Sequence, residues 1–180
     1  MFKIFIDGQN GTTGLQIKDR LAERGDIELI ELLDAERKTD AAKRAALDAA
    51  DVAILCLPDD AARQTAALAK KTRLIDASTA HRTHPDWTYG LPELCPEQRR
   101  KIQTAQRVSN PGCYPTGFIL LVRPLIALGL LKPEQAIFVS ALSGYSGGGK
   151  AMIKDYQDQS QTACRPYGLT LKHKHLAEMT

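Results

Sequence analysis

A cysteine set between a turn and an apolar run is placed to react, and Cys113 holds that place in Ser109-Asn110-Pro111-Gly112-Cys113-Tyr114-Pro115-Thr116-Gly117. Asn110-Pro111-Gly112 favours a tight turn, and Pro115 is tolerated only in a first helical turn, where its missing N–H costs nothing. The apolar run 118–131 that follows is long enough for a helix. Such a thiol sits among unpaired N–H groups at the positive end of the helix dipole, a setting that favours thiolate. The bland alternative is a small buried apolar group in a turn. Farther on, His173-Lys174-His175 sets two imidazoles two residues apart, on one face if the segment is a strand, with Glu178 close behind. An imidazole titrates near neutrality and suits an acid–base partner for a thiol. Surface histidines without a role, or two ligands of a zinc site, are the competing readings. No fourth ligand is spaced nearby, so no metal is expected.

The elements that must position these groups read as an alternation. Phe2 to Ile6 is an apolar strand; Gly8, Gly11 and Gly14 then recur every three residues before an amphipathic segment with Leu15, Ile17 and Leu21. Glycines there let a backbone approach a pyrophosphate, and the helix N-terminus supplies N–H donors. The G-x-x-G-x-x-G spacing departs from the usual dinucleotide fingerprint, and a plain loop remains the alternative. Segments 27–33, 52–57 and 74–76 read as further strands, and 39–49 and 61–71 as helices, which together argue for a doubly wound parallel sheet. Asp34 suits a free ribose hydroxyl and Arg37 with Lys38 a 2′-phosphate, while a solvated charge run fits equally well. A loop over 77–91 carries Ser78, His81, Arg82, His84 and Trp87; 92–103 reads as a helix and 107–108 as a brief strand. The boundary falls at the cysteine turn, giving residues 1–112 as a Rossmann-type nucleotide domain and 113–180 as a second, α+β catalytic domain that carries the cysteine and the histidines. In the second part 136–142 reads as a strand and 151–156 as a helix. Between them Ser143 to Lys150 is glycine-dense, a phosphate cradle or a mobile loop.

Composition narrows the function. The chain has 180 residues, 43% hydrophobic and 25% charged, with a net charge of +3. Lacking a basic run with interleaved aromatics, it offers little to nucleic acid, and small anionic molecules are the expected partners. Neither a membrane span nor a signal peptide is legible, so a cytoplasmic location is expected. Cys56, Cys95, Cys113 and Cys164 show no Cys-x-x-Cys pairing and suggest no disulfide framework.

Taken together, Gly8-Gln9-Asn10-Gly11-Thr12-Thr13-Gly14, Ser109 to Thr116, Ser143 to Lys150 and His173 to Met179 resemble the N-acetyl-γ-glutamyl-phosphate reductases of arginine biosynthesis, in their shorter form. These belong with the aldehyde-forming acyl-phosphate reductases that include aspartate-semialdehyde dehydrogenase. Ala177 departs from the family's usual proline, and family members continue past this motif, so the resemblance implies a truncated chain. It also implies a homo-oligomer, dimer or tetramer, using NADP(H). Cofactor contacts implied are Gly8, Gly11, Thr12, Thr13 and Gly14, then Arg37 and Lys38, then Cys56, Leu57 and Pro58, with Ser146 and Gly147. Implied catalytic groups are Cys113 as nucleophile, His173 as base and acid, and Asn110 at the oxyanion. Arg82 and Lys150 are implied for phosphate or substrate carboxylate, and Tyr167, His175 and Glu178 for the substrate side. The chemistry implied is reduction of the acyl phosphate to a semialdehyde through a cysteine thioester, with release of phosphate. A related semialdehyde dehydrogenase, or a nucleotide-binding module without activity, are the alternatives.

Overall fold

Alternating apolar residues make β1 (Phe2–Asp7), and the glycine turn after it feeds α1 (Thr12–Ala22). The alternation continues through β2 (Ile27–Ile30), α2 (Asp40–Ala49), β3 (Val52–Leu55), α3 (Asp59–Leu68) and β4 (Arg73–Asp76). Two of these helices start on explicit signals. The Thr39 side chain accepts the Ala42 N–H at 3.4 Å ahead of α2, and Asp59 with Asp60 places negative charge in the first turn of α3. Next come β5 (Thr88–Tyr89), α4 (Gln98–Thr104), β6 (Arg107–Ser109), α5 (Cys113–Ala127) and α6 (Gly149–Asp158). The computed structural model describes residues 1–158 and 164–180, which divide into two units, Met1–Pro111 and Gly112–Thr180.

In the first unit the six strands form one parallel sheet in the order β2-β1-β3-β4-β6-β5, the doubly wound arrangement that the alternation predicts. Strand order reverses between β1 and β3, and in such sheets ligands bind beyond the carboxyl ends of the strands at that point. Beneath the sheet Phe5, Leu47, Ala53, Leu55, Leu74 and Trp87 are buried together. Burial of each large side chain is worth about 1.5–3 kcal/mol.

The 77–91 segment is not all loop. Thr88 and Tyr89 pair with Val108 and Ser109 as β5, a strand too short for an alternation to show in sequence, whose one neighbour is β6. Segment 92–103 is not one helix but a single turn at Pro92–Leu94 followed by α4. Pro96 biases the residue before it away from helix, and Cys95 is extended at φ −160°, ψ 164°. β2 ends at Ile30, short of Leu33.

In the second unit α5 begins at Cys113 itself and is closed by Gly129, at φ 70°, with the Leu130 N–H returning to the Leu125 carbonyl at 2.9 Å. The strand expected over 136–142 does not form. Phe138 is 89% and Leu142 93% exposed. A strand needs a neighbour for its N–H and C=O groups, and no strand lies among the described residues of this unit. Residues 173–175 likewise form a turn rather than a strand, the Leu176 N–H bonding the His173 carbonyl at 3.0 Å.

Candidate active site

Across the sheet of the first unit, Asp7, Leu55, Asp76, Ser109 and Tyr89 stand in one row at the carboxyl ends of their strands. The glycine turn lies just past the first of them. Gly8 has φ +90°, and a Cβ there would meet the Cys56 carbonyl oxygen at 2.3 Å; a Cβ on Gly14 would meet the Gly8 oxygen at the same distance. Only glycine lets β1, the start of α1 and the end of β3 approach this closely. A crevice results, lined by Gly11, Thr12, Thr13, Cys56, Leu57 and Ala77. It opens on the N-terminus of α1, whose N-cap Gly11 brings no side chain to compete for the first N–H groups. This cradle fits the pyrophosphate of a dinucleotide.

Around the crevice the charges are already balanced in part. The Asp7 carboxylate accepts Thr65 Oγ1 and pairs with the Lys43 ammonium, each at 2.8 Å. Burial first, and then Asp76 and Asp7, pushes the Cys56 thiol up to about 11, so this cysteine is a neutral wall at physiological pH. Past β2, Arg37 pairs with Asp34 at 3.3 Å, which partly reconciles two residues that point to opposite ribose chemistries in sequence; Lys38 is exposed. Pro58 is exposed as the N-cap of α3. Arg82 Nη2 donates to the Ala77 carbonyl at 3.1 Å, and the Asn110 side chain donates to the Pro111 carbonyl at 3.3 Å.

The sequence gives no role to three residues that the structure joins. The fully buried Asp76 carboxylate accepts the Ser78 N–H at 3.0 Å, the Ser78 hydroxyl at 2.7 Å and His81 Nδ1 at 2.6 Å. The His81 ring stacks on Trp87, with centroids 4.1 Å apart and planes 10° apart. An aspartate ending a strand, followed by serine and histidine two and five residues on, is the signal that could have revealed this.

In the second unit the residues singled out in sequence gather at the start of α5. Cys113 is its first residue and is exposed. The Gly112 N–H donates to Glu178 Oε2 at 2.9 Å, so Glu178, expected on the substrate side, here holds the N-cap of the cysteine helix. Tyr114 and Tyr167 share a hydroxyl–hydroxyl hydrogen bond. Desolvation, then Tyr114 and Cys113, pushes the Tyr167 phenol up to about 12 against a hydrogen bond with Ser143 that lowers it. The imidazoles of His173 and His175 lie 4.6 Å apart, each with its centroid 5.9 Å from the Tyr114 ring.

His173 Nδ1 accepts the His175 N–H at 3.2 Å, so a neutral ring in this arrangement carries its proton on Nε2. That tautomer donates. Among the described residues no hydrogen bond joins Cys113 to His173, because Tyr114, one position on around the helix, is the residue that meets the imidazoles. Ser146 and Gly147, expected at the cofactor, lie in the turn Tyr145–Gly148, and Lys150 is the second residue of α6.

Comparison with known proteins agrees with the resemblance carried by the motifs. Residues 3–102 match the family model described as "Semialdehyde dehydrogenase, NAD binding domain", and residues 113–180 the model described as "Semialdehyde dehydrogenase, dimerisation domain". The N-acetyl-gamma-glutamyl-phosphate reductase of Brucella anthropi is 54% identical over 98% of this chain and 60% of its own length; that of Chelativorans sp. is 53% identical over 98% and 58%. The chain thus spans about 60% of the length of these curated relatives. Among solved structures, the aspartate semialdehyde dehydrogenase of Francisella tularensis superposes with TM-score 0.64 at 18% identity, covering 99% of this chain and 55% of that one. Aspartate semialdehyde dehydrogenase II of Vibrio cholerae gives 0.62 at 17%, covering 88% and 51%. With a parallel sheet that switches at a glycine cradle, and with a family model matching residues 3–102, this chain belongs to the semialdehyde dehydrogenase family.

Proposed function

We propose that the protein carries out the NADPH-dependent reduction of N-acetyl-glutamyl 5-phosphate to N-acetylglutamate 5-semialdehyde, a step of arginine biosynthesis. The observation that carries this is the gathering of Tyr167, His173, His175 and Glu178 about the α5 terminus that bears Cys113, in a chain 54% identical to reductases of that name. The Cys113 sulfur attacks the acyl carbon, the carbon–oxygen bond to phosphate breaks, and phosphate leaves with a proton from water. A thioester remains on Cys113. Gly8, Gly11, Thr12, Thr13 and Gly14 would hold a nicotinamide dinucleotide, which would supply the hydride needed to reduce the thioester. The His173 imidazolium, formed when the ring takes the Cys113 thiol proton, then returns that proton from Nε2 to the sulfur as the carbon–sulfur bond breaks and the aldehyde forms. Taking the thiol proton at the outset requires the other tautomer and release of the His175 N–H bond. Arg82 and Lys150 serve the anionic groups of the substrate, and Asn110 the oxyanion.

The dimerisation-domain match, together with exposed Leu121, Leu128, Phe138 and Leu142, supports assembly as a homo-oligomer, dimer or tetramer. Among the described residues no helix is long and apolar enough to cross a membrane, which is compatible with work in the cytoplasm.

The test is steady-state kinetics on the full-length form. Cys113→Ser abolishes NADPH oxidation with N-acetyl-glutamyl phosphate, and His173→Asn lowers kcat by about 10²–10⁴-fold with KM little changed. Faster turnover of aspartyl phosphate would move the assignment to aspartate-semialdehyde chemistry, and full activity of Cys113→Ser would end it.

A further inference from the structure

Two carboxylates are buried in the row at the ends of the strands, and they do different work. Asp7 pairs with the ammonium of Lys43 on α2 and the hydroxyl of Thr65 on α3, so it ties distant elements of the core together. Among the described residues Asp76 ties none: its side-chain hydrogen bonds come from residues two and five positions on, Ser78 and His81, and no Lys or Arg side chain bonds it. A carboxylate removed from water without a lysine or arginine partner is an expensive way to stabilise a core. What the arrangement secures is the shape of a loop.

That loop is closed from several sides. The Ala80 N–H donates to Ser78 Oγ at 3.1 Å, and the Thr79 N–H donates to Asp59 at 3.0 Å. Trp87 covers the His81 ring in a parallel stack, and the Arg107 guanidinium lies 5.8 Å from the Trp87 ring centroid. Neither the plane nor the position of the imidazole is left to chance. The next residue along the chain is Arg82, whose guanidinium turns back onto the Ala77 carbonyl.

We infer that Asp76 and His81 are positioning residues for the Arg82 guanidinium, holding it in place for a phosphate or carboxylate group. The inference rests on the role given to Arg82 above. A guanidinium on a slack loop would lose loop and rotamer freedom on meeting an anion; one on a loop already fixed loses little. The planar donors of arginine gain most from this, because bidentate contact with an anion requires orientation as well as charge.

The experiment is a double-mutant cycle read by calorimetric titration of the full chain with inorganic phosphate. Arg82→Ala and Asp76→Asn each weaken phosphate binding about tenfold, and the double variant binds no more weakly than Arg82→Ala alone. His81→Phe keeps an aromatic ring against Trp87 but removes the bond to Asp76. It gives the same loss as Asp76→Asn, with the emission of Trp87, the chain's single tryptophan, unchanged. Should Asp76→Asn fail to fold, the cycle is run with His81→Phe in its place. Wild-type affinity in Asp76→Asn and His81→Phe, with Arg82→Ala weakened, overturns the inference alone. A loss that persists undiminished on top of Arg82→Ala also overturns it, since a general structural effect would be additive. Wild-type affinity in Arg82→Ala removes the role of Arg82 and the inference with it.

Discussion

Glu178 Oε2 accepts the backbone N–H of Gly112 at 2.9 Å, joining the closing motif to the N-cap of the cysteine helix across 66 positions of sequence. A hydrogen bond to a charged acceptor is worth about 1.5–3 kcal/mol. Glu178→Ala should therefore speed amide hydrogen exchange in the segment around Gly112, while Glu178→Gln, which keeps an acceptor oxygen, should change it less. Equal exchange in all three proteins would show that the contact holds nothing in solution.

Stability at alkaline pH should depend on Cys56. Its thiol is raised from 9.0 to about 11 by burial and then by Asp76 and Asp7, so the folded chain keeps a proton that the unfolded chain loses between those values. The unfolded state then binds fewer protons, and stability falls as pH rises from about 9 to about 11; below 9 both states are protonated and the residue contributes no slope. Urea midpoints measured from pH 8 to 10.5 should decline less in Cys56→Ala. At neutral pH, iodoacetamide should label exposed Cys113 well before Cys56.

Two glycines should respond in opposite senses to alanine. Gly8→Ala adds a Cβ 2.3 Å from the Cys56 carbonyl oxygen at φ +90°, and left-handed strain alone costs about 1–3 kcal/mol. Thermal stability and NADPH binding should both drop. Gly117, within α5, has open space where its Cβ would stand, so Gly117→Ala should gain about 0.5–1 kcal/mol. A stable, cofactor-binding Gly8→Ala would refute the close approach described for the cradle.

Cofactor preference should reside in Arg37 and Lys38. Replacing both with alanine should weaken NADPH binding by about 1–3 kcal/mol and leave NADH little affected. Asp34 pairs with Arg37, so Asp34→Asn should release the guanidinium and strengthen NADPH binding modestly. Equal weakening of both nucleotides would leave the pair a solvated surface group.

The sheet of the first unit was legible because its signals are local: apolar runs stopped by Gly8, Pro58 and the turn after Asp76, with helices of ordinary length between them. The glycine turn gave the cofactor crevice for the same reason. Three things were hidden. β5 is too short to alternate; Asp76 reads as the end of a strand until its loop folds back on it; and the 136–142 segment has strand composition but lacks a neighbour among the described residues. Cys113 and the histidines were visible by type. That Tyr114 and Glu178 would be the groups linking them was not, because those contacts join positions more than fifty residues apart.

The place of β6 between β4 and β5 also orders events during synthesis. β1 to β4 can associate once the chain has emerged as far as Asp76, since each of them already has its neighbour. β5 emerges next but has nothing to pair with until β6, made later, slots in beside β4 and offers its other edge. On the ribosome, then, the stretch from Thr88 to Gln106 waits unanchored at its sheet end, and the last strand of the sheet to be translated is the one that brings an earlier strand home.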